Sequence, residues 1–326
     1  MYAIQTTNLR RVFVTTTGVV RRKPKEIVAL DGVSLEVLPG ELFGLLGPNG
    51  AGKTTMTKIL ATILLPTSGE ARVMGLDVVK DTARLRPRLG IIFGGERGLY
   101  WRLSGADNLR YFSDLYKIPP EISRQRIPEL LEMVGLSDHA DERVEGYSRG
   151  MKQRLHIARG LVNDPEMLFM DEPTIGLDPV AARELRHVIA DLNQAGKTIF
   201  LTSHYMFEID ALCQRVAVLK KGKVLTIDTP SALKRLVANL EVVEIECLGA
   251  AETAIEQLRR HPRVEAVSVV NREQAQVLQV QAVAGAELVQ EFLGILEGVR
   301  VQKVITRQPT LEDAYVKLME GETLNV

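Results

Sequence analysis

The chain has 326 residues, of which 45% are hydrophobic and 25% charged. That length suits about two domains of ~150 residues each, and the composition excludes a mainly disordered or collagen-like chain. Its 41 Lys and Arg balance 41 Asp and Glu, which argues against a globally basic nucleic-acid binder, so no nucleic-acid partner is expected.

Residues 1–40 read as short strands: an alternating start at Met1–Val14, a polar, basic loop at Thr15–Lys25, then Ile27–Leu38 broken at Asp31-Gly32. The positive residues Arg10, Arg11, Arg21, Arg22, Lys23 and Lys25 fall here with no acid among the first 25 residues. They form either a solvated hairpin or a patch for an anionic surface. Glu41–Leu46 is a compact apolar strand, followed by a Gly-rich turn and a helical run at Lys53–Leu64. Strand, glycine loop and helix in that order open an α/β domain.

Asn108–Val134 is helix-patterned, with breaks expected at Pro119-Pro120 and near Pro128. With the helix at Gly150–Val162, this predicts a helical subdomain, about residues 96–162, inserted in the α/β core. Strand and helix then alternate: Met167–Met170, Pro179–Gln194, Thr198–Thr202. Arg215–Leu219 and Lys223–Ile227 flank a hairpin turn at Lys221-Gly222.

A new pattern starts near residue 240. Strands are predicted at Glu241–Cys247, Val264–Val270, Gln276–Val283 and Val299–Ile305, with helices at Ala250–Arg260, Ala286–Leu296 and Leu311–Met319. This is βαββαβ plus a helix, the split βαβ plan of ferredoxin-like α+β domains. Two domains follow, residues 1–239 and 240–326. The second has 8 basic and 14 acidic side chains from Glu241 onward, so the positive excess lies in the first.

Cys213 and Cys247 sit in apolar segments without metal-ligand spacing and read as buried thiols. The N-terminus lacks the apolar run of a signal peptide, and no stretch reaches the ~18 apolar residues of a membrane span. The expectation is a soluble, cytoplasmic chain that reaches a membrane only through a partner.

The segment Gly47-Pro48-Asn49-Gly50-Ala51-Gly52-Lys53-Thr54, followed by Thr55, matches the phosphate-loop pattern GxxxxGK[ST]. Glycines let consecutive backbone N–H groups turn toward one anion, and the helix beginning at Lys53 aims its positive end at the same place. Lys53 adds a point charge for the β- and γ-phosphates, and the Thr54 hydroxyl suits Mg²⁺. Met167-Leu168-Phe169-Met170-Asp171-Glu172 is an apolar strand ending in two carboxylates. At its exit Asp171 is placed to hold Mg²⁺, and Glu172 is the candidate general base for an attacking water.

Tyr147-Ser148-Arg149-Gly150-Met151 resembles the LSGGQ signature of ABC-type ATPases. Ser148 and Gly150 match; Tyr147, Arg149 and Met151 depart. The resemblance covers about residues 1–235 and is closest to ATPase subunits of bacterial export systems, including drug-resistance and sodium-efflux types. It implies a P-loop NTPase core of the ABC ATPase type that binds ATP with Mg²⁺. It also implies that Gly176-Leu177-Asp178 is the D-loop, that His204 contacts the γ-phosphate, and that Phe13 stacks on adenine, with a strand-core role as the alternative for Phe13. The family's Q-loop glutamine falls at Gly95, beside Glu96. Leu99-Tyr100-Trp101-Arg102 reads either as a docking surface or as packing within the helical subdomain.

The function implied is ATP hydrolysis coupled to export through a separate integral membrane permease, at the inner face of the cell membrane. Two ATPase subunits, identical or different, would close head to tail, each ATP lying between one phosphate loop and the other subunit's signature. Two alternatives stand beside it: a non-transport clamp on nucleic acid or ribosomes, and a slow regulatory nucleotide sensor.

Overall fold

A computed structural model describes residues 1–17, 23–93, 98–250, 252–271, 275–285 and 287–320. The chain divides into two compact units, Met1–Asp228 and Thr229–Val326.

The first unit is built on a six-stranded sheet. Five strands run parallel in the order Arg215–Lys220, Leu42–Leu46, Thr198–Ser203, Met167–Asp171 and Leu89–Phe93, and Lys223–Asp228 joins antiparallel at one edge. The three central strands are buried at every position, as parallel strands covered on both faces must be. Phe43 stacks on Phe200 at 5.9 Å between centroids, and Phe169 tilts against Phe200 at the same 5.9 Å. Each buried ring contributes about 1.5–3 kcal/mol. The carboxyl ends of these adjacent strands open on one side, where α/β sheets place their sites.

A second sheet of the first unit is antiparallel, in the order Lys23–Val37, Ile4–Thr17, Ser68–Val73, Leu76–Asp77. The short strands expected in residues 1–40 are two long ones, with register shifts between Thr6 and Val12 rather than a break. Arg21 and Arg22 of the basic run lie outside the described residues. The hairpin at Lys221-Gly222 forms as expected, with both residues at positive φ, 48° and 79°, the pairing a two-residue turn of this kind requires.

Helices Gly105–Leu115, Pro120–Met133 and Arg149–Leu161 occupy the stretch expected to be helical. The break expected near Pro128 is absent: that residue lies inside the second helix. Burial of Ile127, Leu130 and Leu131 on either side offsets the hydrogen bond a proline forfeits. Leu99 is buried, while Tyr100 and Trp101 are about half exposed at 46% and 50%. Tyr100 lies edge-on to Tyr111, 4.6 Å between centroids.

In the second unit the four antiparallel strands run Val264–Asn271, Gln276–Val283, Leu240–Leu248, Arg300–Arg307. That is the ferredoxin-like order. Val243, Ile245, Leu278 and Val280 pack with Ile255, Leu258 and Phe292 of the helices Glu252–Arg259 and Leu288–Ile295. The compact units part at Asp228/Thr229 rather than at residue 240. The helix Pro230–Arg235 contacts the helix Leu311–Glu320, and Val237 and Leu240 bury with Ala314. Apolar contact with the end of the chain draws residues 229–239 into the second unit. Both cysteines are buried and free.

Candidate active site

The turn after Leu42–Leu46 is shaped by glycine. Gly50 and Gly52 have φ of 78° and 112°, a region in which other residues are strained. A Cβ at Gly52 would lie 2.4 Å from the Ala29 carbonyl oxygen, and one at Gly47 would lie 2.5 Å from that of Leu219. The loop is therefore closely backed by two neighbouring strands. Pro48, Asn49 and Gly50 face solvent, Ala51 is buried, and Thr54 is exposed at the first turn of the helix Lys53–Leu60. Thr55, the next residue, is partly buried.

Lys53 is 5% exposed, and its ammonium donates to the Gly47 carbonyl at 2.7 Å. It also lies 3.4 Å from Glu172 Oε1. The other oxygen of that carboxylate, Oε2, lies 3.2 Å from His204 Nδ1. Alignment is too poor for a hydrogen bond there, and this buried nitrogen has no hydrogen-bond partner among the described residues. Glu172 thus stands between a cation and an imidazole, and its backbone has φ of 52°. A non-glycine residue held there stores about 1–3 kcal/mol. The strain at Glu172 occurs where the strand must end abruptly and aim the carboxylate back over the loop.

Asp171, 8% exposed, accepts a hydrogen bond from Thr54 Oγ1 at 2.8 Å. Thr202 Oγ1 donates to its other oxygen. The backbone N–H of Glu172 donates to the Thr202 carbonyl at 3.0 Å and to its hydroxyl at 3.2 Å. Thr202 therefore holds the Asp171 carboxylate and the Glu172 backbone. Its place beside both residues is one that the sequence did not single out. The available signal was a hydroxyl at the end of an otherwise apolar strand, Ile199-Phe200-Leu201-Thr202. One serine further on, Ser203 donates to Glu208 at 2.8 Å and accepts from the Tyr205 N–H at 3.0 Å. Those bonds pin the turn that carries His204.

Thr54 and Asp171 supply adjacent hard oxygen donors with no soft ligand, a set that fits Mg²⁺ completed by water and phosphate oxygens. The loop amides, Lys53 and the helix end fit a triphosphate.

Two further expected residues are helix caps. Ser148 accepts from the Met151 N–H at 3.2 Å and starts Arg149–Leu161. Asp178 accepts from the N–H groups of Ala181 and Val180, both at 3.0 Å, and starts Pro179–Gln194. Hydrogen bonding from Ala181, then Val180, holds the Asp178 carboxyl below its ordinary range. The two caps adjoin: a Cβ at Gly150 would lie 3.1 Å from that of Ala181. Tyr147, in place of the signature's leucine, is buried and donates to the His139 carbonyl. Phe13 is only partly buried, opposite Ile27 in the ladder, with the Arg11 guanidinium 4.5 Å above its ring. Gly95 and Glu96 lie outside the described residues.

The sequence pattern of the ABC transporter family matches residues 30–175. The chain is 42% identical over 215 residues to the ABC transporter ATP-binding protein NatA of Bacillus subtilis, covering 65% of this chain and 87% of that protein. It is 32% identical over 295 residues to the linearmycin resistance ATP-binding protein LnrL of Bacillus subtilis, with 90% and 94% covered. Identity is 35% over 306 residues to the daunorubicin resistance ATP-binding protein DrrA2 of Streptomyces coeruleorubidus, with 91% and 92% covered. Among solved structures, an ATP-binding cassette determined as a dimer in a post-hydrolysis state with ADP and Pi superposes with a TM-score of 0.61 at 26% identity, covering 69% of this chain and 98% of that one. The cbiO1 protein of Clostridium perfringens, part of the ABC transporter complex cbiONQ, gives 0.62 at 26%, covering 72% and 94%.

Proposed function

Because this chain belongs to the ABC transporter family of ATP-binding proteins and is the ATP-hydrolysing subunit of an export system, we propose that the residues gathered around Glu172 carry that hydrolysis. Lys53 and the amides of residues 47–55 bind the β- and γ-phosphates. Thr54 and Asp171 would hold Mg²⁺, which offsets charge on the triphosphate when bound. Glu172 accepts a proton from the attacking water, and His204 contacts the γ-phosphate. Phe13 offers its ring face to adenine.

ABC ATPases dimerise and work with membrane permeases. In this chain the Ser148–Gly150 segment and Asp178 are read as the face that closes over a second subunit's nucleotide. ATP then bridges two anion-seeking surfaces, and cleavage of its terminal bond weakens the bridge. Closure and opening drive a permease at the inner membrane face, a population shift powered by differential binding. The exported substrate is selected by that permease. Among the described residues no helix is long and apolar enough to cross a membrane.

The observation that carries this reading is Glu172 within 3.4 Å of Lys53 and 3.2 Å of His204, at the mouth of the phosphate loop. The test is Glu172→Gln. The variant is expected to bind ATP with wild-type affinity, to hydrolyse it at least about a hundredfold more slowly, and to sediment as a dimer with ATP. Undiminished turnover would remove Glu172 from the role of base.

A further inference from the structure

Arg149 stands where the family signature has glycine, and its placement is specific. A Cβ at Gly176 would lie 2.3 Å from Arg149 Cζ and 2.4 Å from each terminal guanidinium nitrogen. The guanidinium thus rests face-on over the Cα of Gly176, in space that a Cβ there would enter. Gly176 also needs glycine for its backbone, with φ of 71°. Arg149 is exposed, and no ion pair among the described residues includes it. Charge pairing therefore does not explain why it lies there.

The loop under it begins at Glu172. Its internal bonds are two overlapping turns, Ile175 N–H to the Glu172 carbonyl at 3.2 Å and Leu177 N–H to the Thr174 carbonyl at 3.1 Å. The Thr174 hydroxyl is buried without a hydrogen-bond partner among the described residues. The loop ends at Asp178, which caps the next helix. Pro173 and Thr174 are buried, whereas Ile175 and Gly176 are exposed, and the Arg149 plane lies on that exposed part. Arg149 is also the first residue of the helix Arg149–Leu161, so its contact joins the start of that helix to the loop.

We propose that Arg149 is a positioning residue for hydrolysis, transmitting displacement of the signature helix through its flat contact with Gly176 to the loop that starts at Glu172. The inference rests on the reading that the Ser148–Gly150 segment closes over a second subunit's nucleotide. Engagement of the signature at one ATP then adjusts the base at the other. A guanidinium suits this task because it is planar and weakly hydrated, so it packs face-on against backbone where a lysine ammonium does not.

The experiment compares the wild type with Arg149→Ala, Arg149→Lys, Gly176→Ala and the Arg149→Ala/Gly176→Ala pair. Steady-state ATP hydrolysis is measured against ATP concentration, and ATP-driven association is measured by sedimentation with Glu172→Gln added to each. Arg149→Ala is expected to keep KM within about twofold, to lower kcat about tenfold, and to bring the Hill coefficient toward unity. Its Glu172→Gln form still associates with ATP. Arg149→Lys behaves like Arg149→Ala. Gly176→Ala is more damaging with Arg149 present than without it, which the double-mutant cycle reads as coupling. Unchanged kcat and Hill coefficient in Arg149→Ala, wild-type behaviour in Arg149→Lys, or an uncoupled cycle each overturns the proposal and leaves the dimer reading intact. A Glu172→Gln protein that never associates with ATP overturns both.

Discussion

Lys53 and Glu172 face each other across 3.4 Å, the lysine 5% exposed and the glutamate side chain 20%. One residue opens a helix and the other follows a strand's end, and 117 positions separate the partners of the neighbouring Thr54–Asp171 bond. Parallel pairing of Leu42–Leu46 and Met167–Asp171 on either side of Thr198–Ser203 brings both ends to the same edge. A buried cation is thereby balanced by the carboxylate that is assigned to catalysis.

Removing the cation tests that balance. Lys53→Ala is expected to weaken ATP binding by about 10–100-fold, the range for losing a charge-assisted contact. Isothermal titration with the wild type and variant checks it. Equal affinities would argue against the phosphate-loop assignment.

Thr202 gives a separate prediction. Thr202→Val removes the hydroxyl that contacts Asp171 and the Glu172 N–H while nearly preserving shape. Turnover should fall by about 10–100-fold with ATP affinity much less affected, and Thr202→Ser should recover most of it. A valine variant with normal kcat would show that the strand alone positions the two carboxylates.

Ser148 caps a helix, and its proposed place at the second subunit's nucleotide can be tested separately from that cap. As a cap accepting from Met151, it is worth about 0.5–2 kcal/mol against alanine. Ser148→Asp restores an equivalent cap but puts a negative charge on the surface assigned to the second nucleotide. Thermal melts should show Ser148→Ala less stable than Ser148→Asp. Sedimentation with ATP should show Ser148→Asp the poorer dimer. If the aspartate variant associates normally, this segment does not meet phosphate.

His156 predicts an acid sensitivity. It is 1% exposed, neither ring nitrogen has a hydrogen-bond partner among the described residues, and burial pushes its pKa from 6.5 down to about 3. The unfolded chain therefore binds the proton first as pH falls. Above pH 6.5 this group carries no protonation penalty; between 6.5 and about 3 it costs folding about 1.4 kcal/mol per pH unit. Urea denaturation of the wild type and His156→Leu at pH 7 and at about pH 5.5 should show a smaller loss for the variant. Parallel losses in the two proteins would rule out His156 as the source.

Local pattern carried much of the site. Gly47–Thr54, the apolar strand ending at Asp171-Glu172, and the cap at Ser148 are contiguous segments, so their chemistry is written in residue order. The alternation of residues 241–305 likewise dictated four strands and the helices between them, and with them the ferredoxin-like plan. What the order of residues could not express is proximity between distant segments. Thr202 gained its role only when strand pairing set it beside Asp171. Arg149 acquired a contact when two helix starts met at Gly150 and Ala181. Pro128 stayed helical because apolar burial around it outweighed one lost backbone bond. Residues 229–239 left the first unit because Ala314, near the far end of the chain, buries against Val237 and Leu240. Hydrogen-bonding groups and periodicity act over a few residues, whereas packing is decided by whichever surfaces the whole fold brings within a few ångströms.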